Sequence, residues 1–351
     1  MGYRAHFLIR EGGALRLHAS HWGGQRLLRD LLHGPSIFAA YVESTRAVGE
    51  LYYEDAVDGV ALVDHDRRAL TFWGGDNLGV ESIPGLRRRY LELLRGRWPG
   101  WAIRWEPGGI RAIAASVAVP VPASIDGPSR GELRVQALLD GALGRDPGPR
   151  ENVVSVRENA HSVHNVRAGW DVDALLTLGP RLVDEVRAQA PAPLPRESLP
   201  DPDDEAWERR GGILLDVEAR RIECWWNWPA TRRVEALPLL ARFWPGWTLA
   251  LAVDGLVVHA ERGGRPRAAV ELPLAEAAAA LERRLFAEEP AGAEDAVEPA
   301  AIAREALAAW TAQLDGAPGA ELTIAAGLLG DEGGLPPPLE LRGQIARRLA
   351  R

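Results

Sequence analysis

Apolar and polar residues alternate about a charged centre in Leu62-Val63-Asp64-His65-Asp66-Arg67-Arg68-Ala69-Leu70-Thr71-Phe72-Trp73, which predicts two strands joined by a tight polar turn. The pattern returns in Leu214-Leu215-Asp216-Val217-Glu218-Ala219-Arg220-Arg221-Ile222-Glu223-Cys224-Trp225. After each hairpin, apolar residues recur every three or four positions, as Leu86, Tyr90, Leu93, Leu94 and Trp98, and again as Leu237, Leu240, Ala241 and Trp244. That spacing predicts a helix with one buried face. Both helices run into the same four residues, Trp98-Pro99-Gly100-Trp101 and Trp244-Pro245-Gly246-Trp247. Proline cannot continue a helix and glycine closes one, so the tetrapeptide ends the helix and turns the chain. A strand follows in each copy: Trp101 to Trp105 leads to Gly109-Ile110, and Trp247 to Leu251 leads to Gly255-Leu256.

The match extends backwards more weakly. Ile9-Arg10-Glu11 lies beside Val156-Arg157-Glu158, and Gly34-Pro35 beside Gly179-Pro180, where each breaks a helix; the first of these helices carries Leu27, Leu28, Leu31 and Leu32 on one face. The chain thus reads as an α+β protein with an internally duplicated ββ-α-ββ-α-β unit of about 110 to 120 residues, an antiparallel sheet with helices on one face. The copies span residues 1–120 and 151–265, with a helical linker at 121–150 and an acidic insertion at about 189–211. Residues 266–351 form an alanine-rich, mostly helical C-terminal extension.

Composition narrows the chemistry. The net charge of −8 argues against nucleic acid as a partner, although residues 1–120 hold fifteen arginines against thirteen acidic residues. Neither a signal peptide nor a membrane span is indicated, so a cytoplasmic protein without a membrane partner is expected. The single cysteine, Cys224, rules out an intrachain disulfide and reads as a small buried hydrophobe. No lysine occurs, which removes Schiff-base chemistry and the phosphate-binding lysine of P-loops and kinases.

Candidate chemistry lies with tryptophan, arginine and histidine. Trp98, Trp101, Trp244 and Trp247 occupy one corner in both copies and read as core. Adjacent Trp225 and Trp226 must point to opposite faces of a strand, so one of them needs a second sheet, a ligand or a partner. Trp73 matches Trp225, and Trp228 shares a nominal face with Trp226. Arg87, Arg88 and Arg89 form a basic flank suited to an anion or an acidic surface. The H-x-x-H pairs, His18 with His21 and His161 with His164, do not coincide when the copies are aligned and send their rings apart on strands, so no metal site or cofactor is expected.

No serine elbow, H-E-x-x-H helix or glycine-rich phosphate loop is present. The sequence therefore points to a non-catalytic protein-binding module, of the kind used by regulatory or toxin-neutralising proteins in bacteria. Trp73, Trp225, Trp226 and Trp228 would form its surface, with Arg87 to Arg89 beside them. The alternative is an enzyme that takes an anionic small molecule in an arginine-lined cleft between the copies, with His18, His21 or His65 as acid or base. Self-assembly into an oligomer is the third reading.

Overall fold

The computed structural model describes residues 3–52, 56–74, 83, 85–122, 152–159, 162–168, 172–190, 194–195, 211–226, 237–252, 254–262, 271–286 and 303–309. Two units emerge, one from the stretches 1–129 and 272–316, the other from 130–271 and 317–351. The first contains β1 (Ala5–Glu11), β2 (Ala14–Ser20), α1 (Gly23–Leu31), α2 (Pro35–Ser44), β3 (Arg46–Ala47), β4 (Gly59–Asp64), β5 (Ala69–Gly74), α3 (Leu86–Arg97), β6 (Ala102–Trp105) and α4 (Gly109–Ser116). The second repeats this order with β7 (Asn152–Arg157), β8 (Ser162–Ala168), α5 (Val172–Leu176), α6 (Arg181–Gln189), β9 (Leu194–Pro195), β10 (Gly212–Asp216), β11 (Arg221–Trp225), α7 (Leu237–Leu240), β12 (Thr248–Leu251) and α8 (Gly255–Arg262).

Each unit holds one six-stranded sheet, ordered β3-β2-β1-β4-β5-β6 in the first and β9-β8-β7-β10-β11-β12 in the second. The strand order is the same twice, so the α+β class and the duplication describe this molecule. Two details differ from the pattern read along the chain. The hairpins are antiparallel, but β1 joins β4 and β7 joins β10 in parallel, as do β5 with β6 and β11 with β12. A helix separates the two strands of each parallel pair in sequence, and such a crossover returns the chain in the same direction. Gly109-Ile110 and Gly255-Leu256, to which the last strands lead, open two further helices, α4 and α8. Ile110, Ile113 and Ala114 are the buried side of α4 at helical spacing. In consequence helices cover both faces of the sheets, and every residue of β4 and of β10 is buried.

The turns repeat as closely as the strands. Asp64 ends β4, takes the N–H of Arg67 at 3.0 Å and pairs with Arg10 at 3.4 Å. Asp216 takes the N–H of Ala219 at 3.0 Å and pairs with Arg157. Arg68 and Arg220 then adopt the left-handed conformation, with φ of 49° and 48°.

The repeated tetrapeptide ties two helices together. Trp98 is buried and its indole N–H donates to the Leu31 carbonyl, the last of α1, at 2.7 Å; Trp244 donates to the Leu176 carbonyl, the last of α5, at 2.8 Å. Carbonyls at a helix end lack partners within the helix, so the indole fills a need that every helix has. Tyr90 and Arg97 serve the Leu28 and Leu32 carbonyls in the same way in the first unit. Gly34 and Gly179 allow the approach. Their φ values are 81° and 61°, and a Cβ would come within 2.8 Å of the Arg97 carbonyl oxygen or 2.5 Å of that of Phe243. Trp101 and Trp247 close the corner edge-on against Trp98 and Trp244, with ring centroids 5.0 and 5.3 Å apart.

Helix α9 (Leu274–Phe286) follows the second repeat in sequence but belongs to the first unit, where it packs on α1 and α3 through Ala277, Ala278, Ala280, Leu281 and Leu285. Residues 303–309 are helical in the same unit. Most of the helical linker read at 121–150, most of the acidic insertion and the tail beyond 309 lie outside the described residues. Trp98→Phe and Trp244→Phe remove the indole hydrogen bond and shrink a buried ring, leaving the Leu31 and Leu176 carbonyls only the N–H of Gly34 and Gly179, so each is expected to lower unfolding stability by about 1–3 kcal/mol. Urea denaturation measures this, and an unchanged midpoint in both variants would remove the tie from the account.

Candidate functional site

Alternation along the strands sorts the second unit's side chains onto two faces. Val154, Val156, Ile213, Leu215, Ile222, Cys224 and Trp226 pack with α5, α6 and α7 in one apolar core. Ser155, Leu214, Glu223 and Trp225 occupy the other face, since Ser155 pairs in register with Leu214 and with Asn165, and Leu214 with Glu223. Helix α8 lies over this second face.

There the two copies part. Leu8 pairs with Leu62 and with Leu17, and Leu62 with Thr71, so the first unit has Leu8, Leu17 and Thr71 where the second has Ser155, Asn165 and Glu223. Along the eight-residue helices α4 and α8, Ile113 and Ser116 stand where the second copy has His259 and Arg262. Ala69, opposite Asp64, stands where the second copy has Arg221, opposite Asp216. A mostly apolar face has become a polar one on the same backbone.

The polar groups engage one another. His259 Nε2 lies 2.8 Å from Ser155 Oγ, and the Ser155 hydroxyl donates to Asn165 Oδ1. A hydroxyl has one proton, so Nε2 carries a hydrogen and donates to Ser155, leaving Nδ1 with its lone pair. Among the described residues Nδ1 has no partner. The Trp225 ring meets the His259 ring edge to face, with centroids 5.1 Å apart. Burial pushes the His259 pKa down to about 3. Glu223, 7% exposed, accepts from Arg221 at 2.8 Å and Arg262 at 3.2 Å, whose side chains are 35% and 45% exposed. Trp225 backs this surface from beneath, pressed against Gly212 and Gly255, where an added Cβ would come within 2.1 and 2.0 Å of its ring.

Ser155 and His259 sit at the distance of a nucleophile and its base, but not in the orientation of an activated pair. General-base activation needs the hydroxyl proton directed at the imidazole, and here it points to Asn165. Ser155 is also fully buried. Cys224 is buried with its thiol pKa pushed well up by desolvation, the inert state of a cysteine.

The residues read from sequence are distributed as follows. Trp225 and Trp226 are both buried and on opposite faces, as strand alternation requires; the second covering is supplied by α8. Trp73 is buried in the first unit, and Trp228 lies outside the described residues. Arg87 is buried with its guanidinium 3.8 Å above the Trp105 ring, while Arg88 and Arg89 both engage Glu92. His18 is buried on β2. His21 follows β2 at the end beside Ala5, and His65 bonds to Arg10 at the far end of β1, so the structure does not bring these two together. The sequence reading missed Ser155, Asn165, Glu223, Arg221, Arg262 and His259. It also passed over Trp22, the most exposed large apolar residue described at 49%, which stands by Tyr3 at the start of α1. Among the described residues no cluster of histidine, cysteine and acidic groups fits a metal ion, and no helix is long and apolar enough to cross a membrane.

Comparison of the chain with known protein families, with curated proteins and with solved structures found no match.

Burial also pushes the pKa of His6 down, to about 4; its Nε2 accepts the Tyr52 N–H at 2.8 Å. Both His6 and His259 bind a proton more tightly in the unfolded chain, so the stability they contribute is complete above about pH 7. It is lost as pH falls from about 6.5 towards the folded values, on the order of 3–5 kcal/mol each. Urea midpoints are expected to be clearly lower at pH 4.5 than at pH 7.5, and equal midpoints would contradict the burial of both rings.

Proposed function

We propose that the protein is a non-catalytic protein-binding module, and that its second unit grips an acidic surface of its partner through Arg221 and Arg262. One observation carries this reading: two half-exposed guanidinium groups flank a single buried carboxylate, Glu223, on a face whose counterpart in the first unit bears Ala69, Ser116 and Thr71. Arg157 with Asp216 repeats Arg10 with Asp64 and so belongs to the architecture. The Arg221, Glu223 and Arg262 trio has no such counterpart in the first copy. Guanidinium pairs with partner carboxylates in a fixed bidentate geometry, and such pairs set specificity and on-rate. A regulatory or neutralising role follows from covering an acidic surface that the partner needs free.

The direct test compares wild type with Arg221→Glu/Arg262→Glu in a pull-down from host lysate, followed by binding measurements on the captured protein. Expected is a stoichiometric partner whose affinity falls at least tenfold with the double variant and falls as salt is raised above about 0.15 M. Equal affinity for both proteins would sink the assignment of this face. Labelling of Ser155 by a fluorophosphonate at neutral pH would instead support a hydrolase.

A further inference from the structure

We propose that helix α8 is an acid-sensitive latch over the polar face of the second unit, held down by a neutral His259 seated on Ser155 and Trp225 and released when that ring takes a second proton.

The geometry makes the ring a one-state fastener. Nε2 is committed to Ser155, and Ser155 to Asn165, so a new proton can go only to Nδ1. Nδ1 is buried without an acceptor among the described residues, and an N–H created there would be an unpaired charged donor. The charged groups facing the ring from the surrounding elements do not offset this. Glu223 on β11 is already held by Arg221 and Arg262; Asp216 on β10 is held by Arg157 of β7. Asn165 on β8 is neutral. Arg262 lies three residues further along α8, close enough to repel an imidazolium.

Asp254, just before α8, sits at φ 53°, a left-handed conformation that aspartate tolerates better than most side chains. The corresponding place in the first unit, Gly108, is at φ −75°, and the helix that follows is seated through Ile113. The latch is therefore a property of the second copy alone, and it stands whether or not that face binds an acidic partner.

Once α8 lifts, the imidazole meets water and regains an ordinary affinity for protons, near pH 6.5, against about 3 when seated. The open fraction then grows as pH falls, by about 25-fold between pH 7 and pH 5. Hydrogen exchange of the intact protein, corrected for the intrinsic pH dependence of amide exchange, reads this directly. Expected is a loss of α8 protection of about that factor, with the amides of β7 and β10 unchanged. In His259→Gln, whose amide can still donate to Ser155 but does not titrate, α8 protection should be independent of pH. Uniform loss across α8, β7 and β10 would mean acid unfolding of the unit and would overturn the latch, as would unchanged protection of α8. Should His259→Gln fail to fold, the native imidazole titration by NMR decides, because a ring that titrates near 6.5 while α8 stays protected contradicts the proposal.

Discussion

Both units hang on an indole N–H that reaches the last carbonyl of a neighbouring helix. Trp98 and Trp244 bury their rings in the corner between helix and strand and spend their one hydrogen on Leu31 and Leu176. The contact fixes the depth at which α3 lies against α1 and α7 against α5. Because Pro-Gly then reverses the chain at that point, it also fixes where β6 and β12 begin alongside β5 and β11. Helices α4 and α8 leave from the ends of those strands and cover the second face. The place of His259 over Ser155 is thus set, several elements away, by a tryptophan with which it shares no contact.

On this scaffold the copies settled on opposite solutions for the same surface. Leu8, Leu17 and Ile113 belong to an apolar seal, the cheaper arrangement, because buried polar groups contribute little stability even when paired. The second copy keeps Ser155, Asn165, His259 and Glu223 under α8; among the described residues His259 Nδ1 and Trp225 Nε1 lack hydrogen-bond partners, as His6 Nδ1 and Trp73 Nε1 do in the first copy. Stability alone does not account for this set of side chains. The proposed binding role is sought in the second copy for that reason.

The duplication, the helix stops and the hairpins were legible because each rests on local rules: period, turn chemistry and the conformational habits of proline and glycine. Pairing direction was not, since whether β1 meets β4 in parallel depends on the route of α1 and α2 across the sheet. Helices α4 and α8 were hidden because eight residues beginning Gly-Ile or Gly-Leu carry too few turns to display a period. Without α8 on the second face, the burial of Trp225 had no visible cause. The polar site itself left a faint trace: the alignment of Ile9-Arg10 with Val156-Arg157 sets Leu8 beside Ser155. Its partner His259 lies on α8, to which the sequence pattern assigned no element, so the exchange of an apolar pair for a polar one could not be seen.

The first unit draws on both ends of the chain, for α9 seals α1 and α3 although the whole second repeat stands between them. During synthesis the N-terminal repeat therefore emerges first and is completed last, since the strands and α8 of the second unit are translated before α9. The outer side of α1 and α3 stays uncovered for that interval. Order of appearance and order of completion are reversed, and damage near residue 280 is felt by the unit that begins at residue 3.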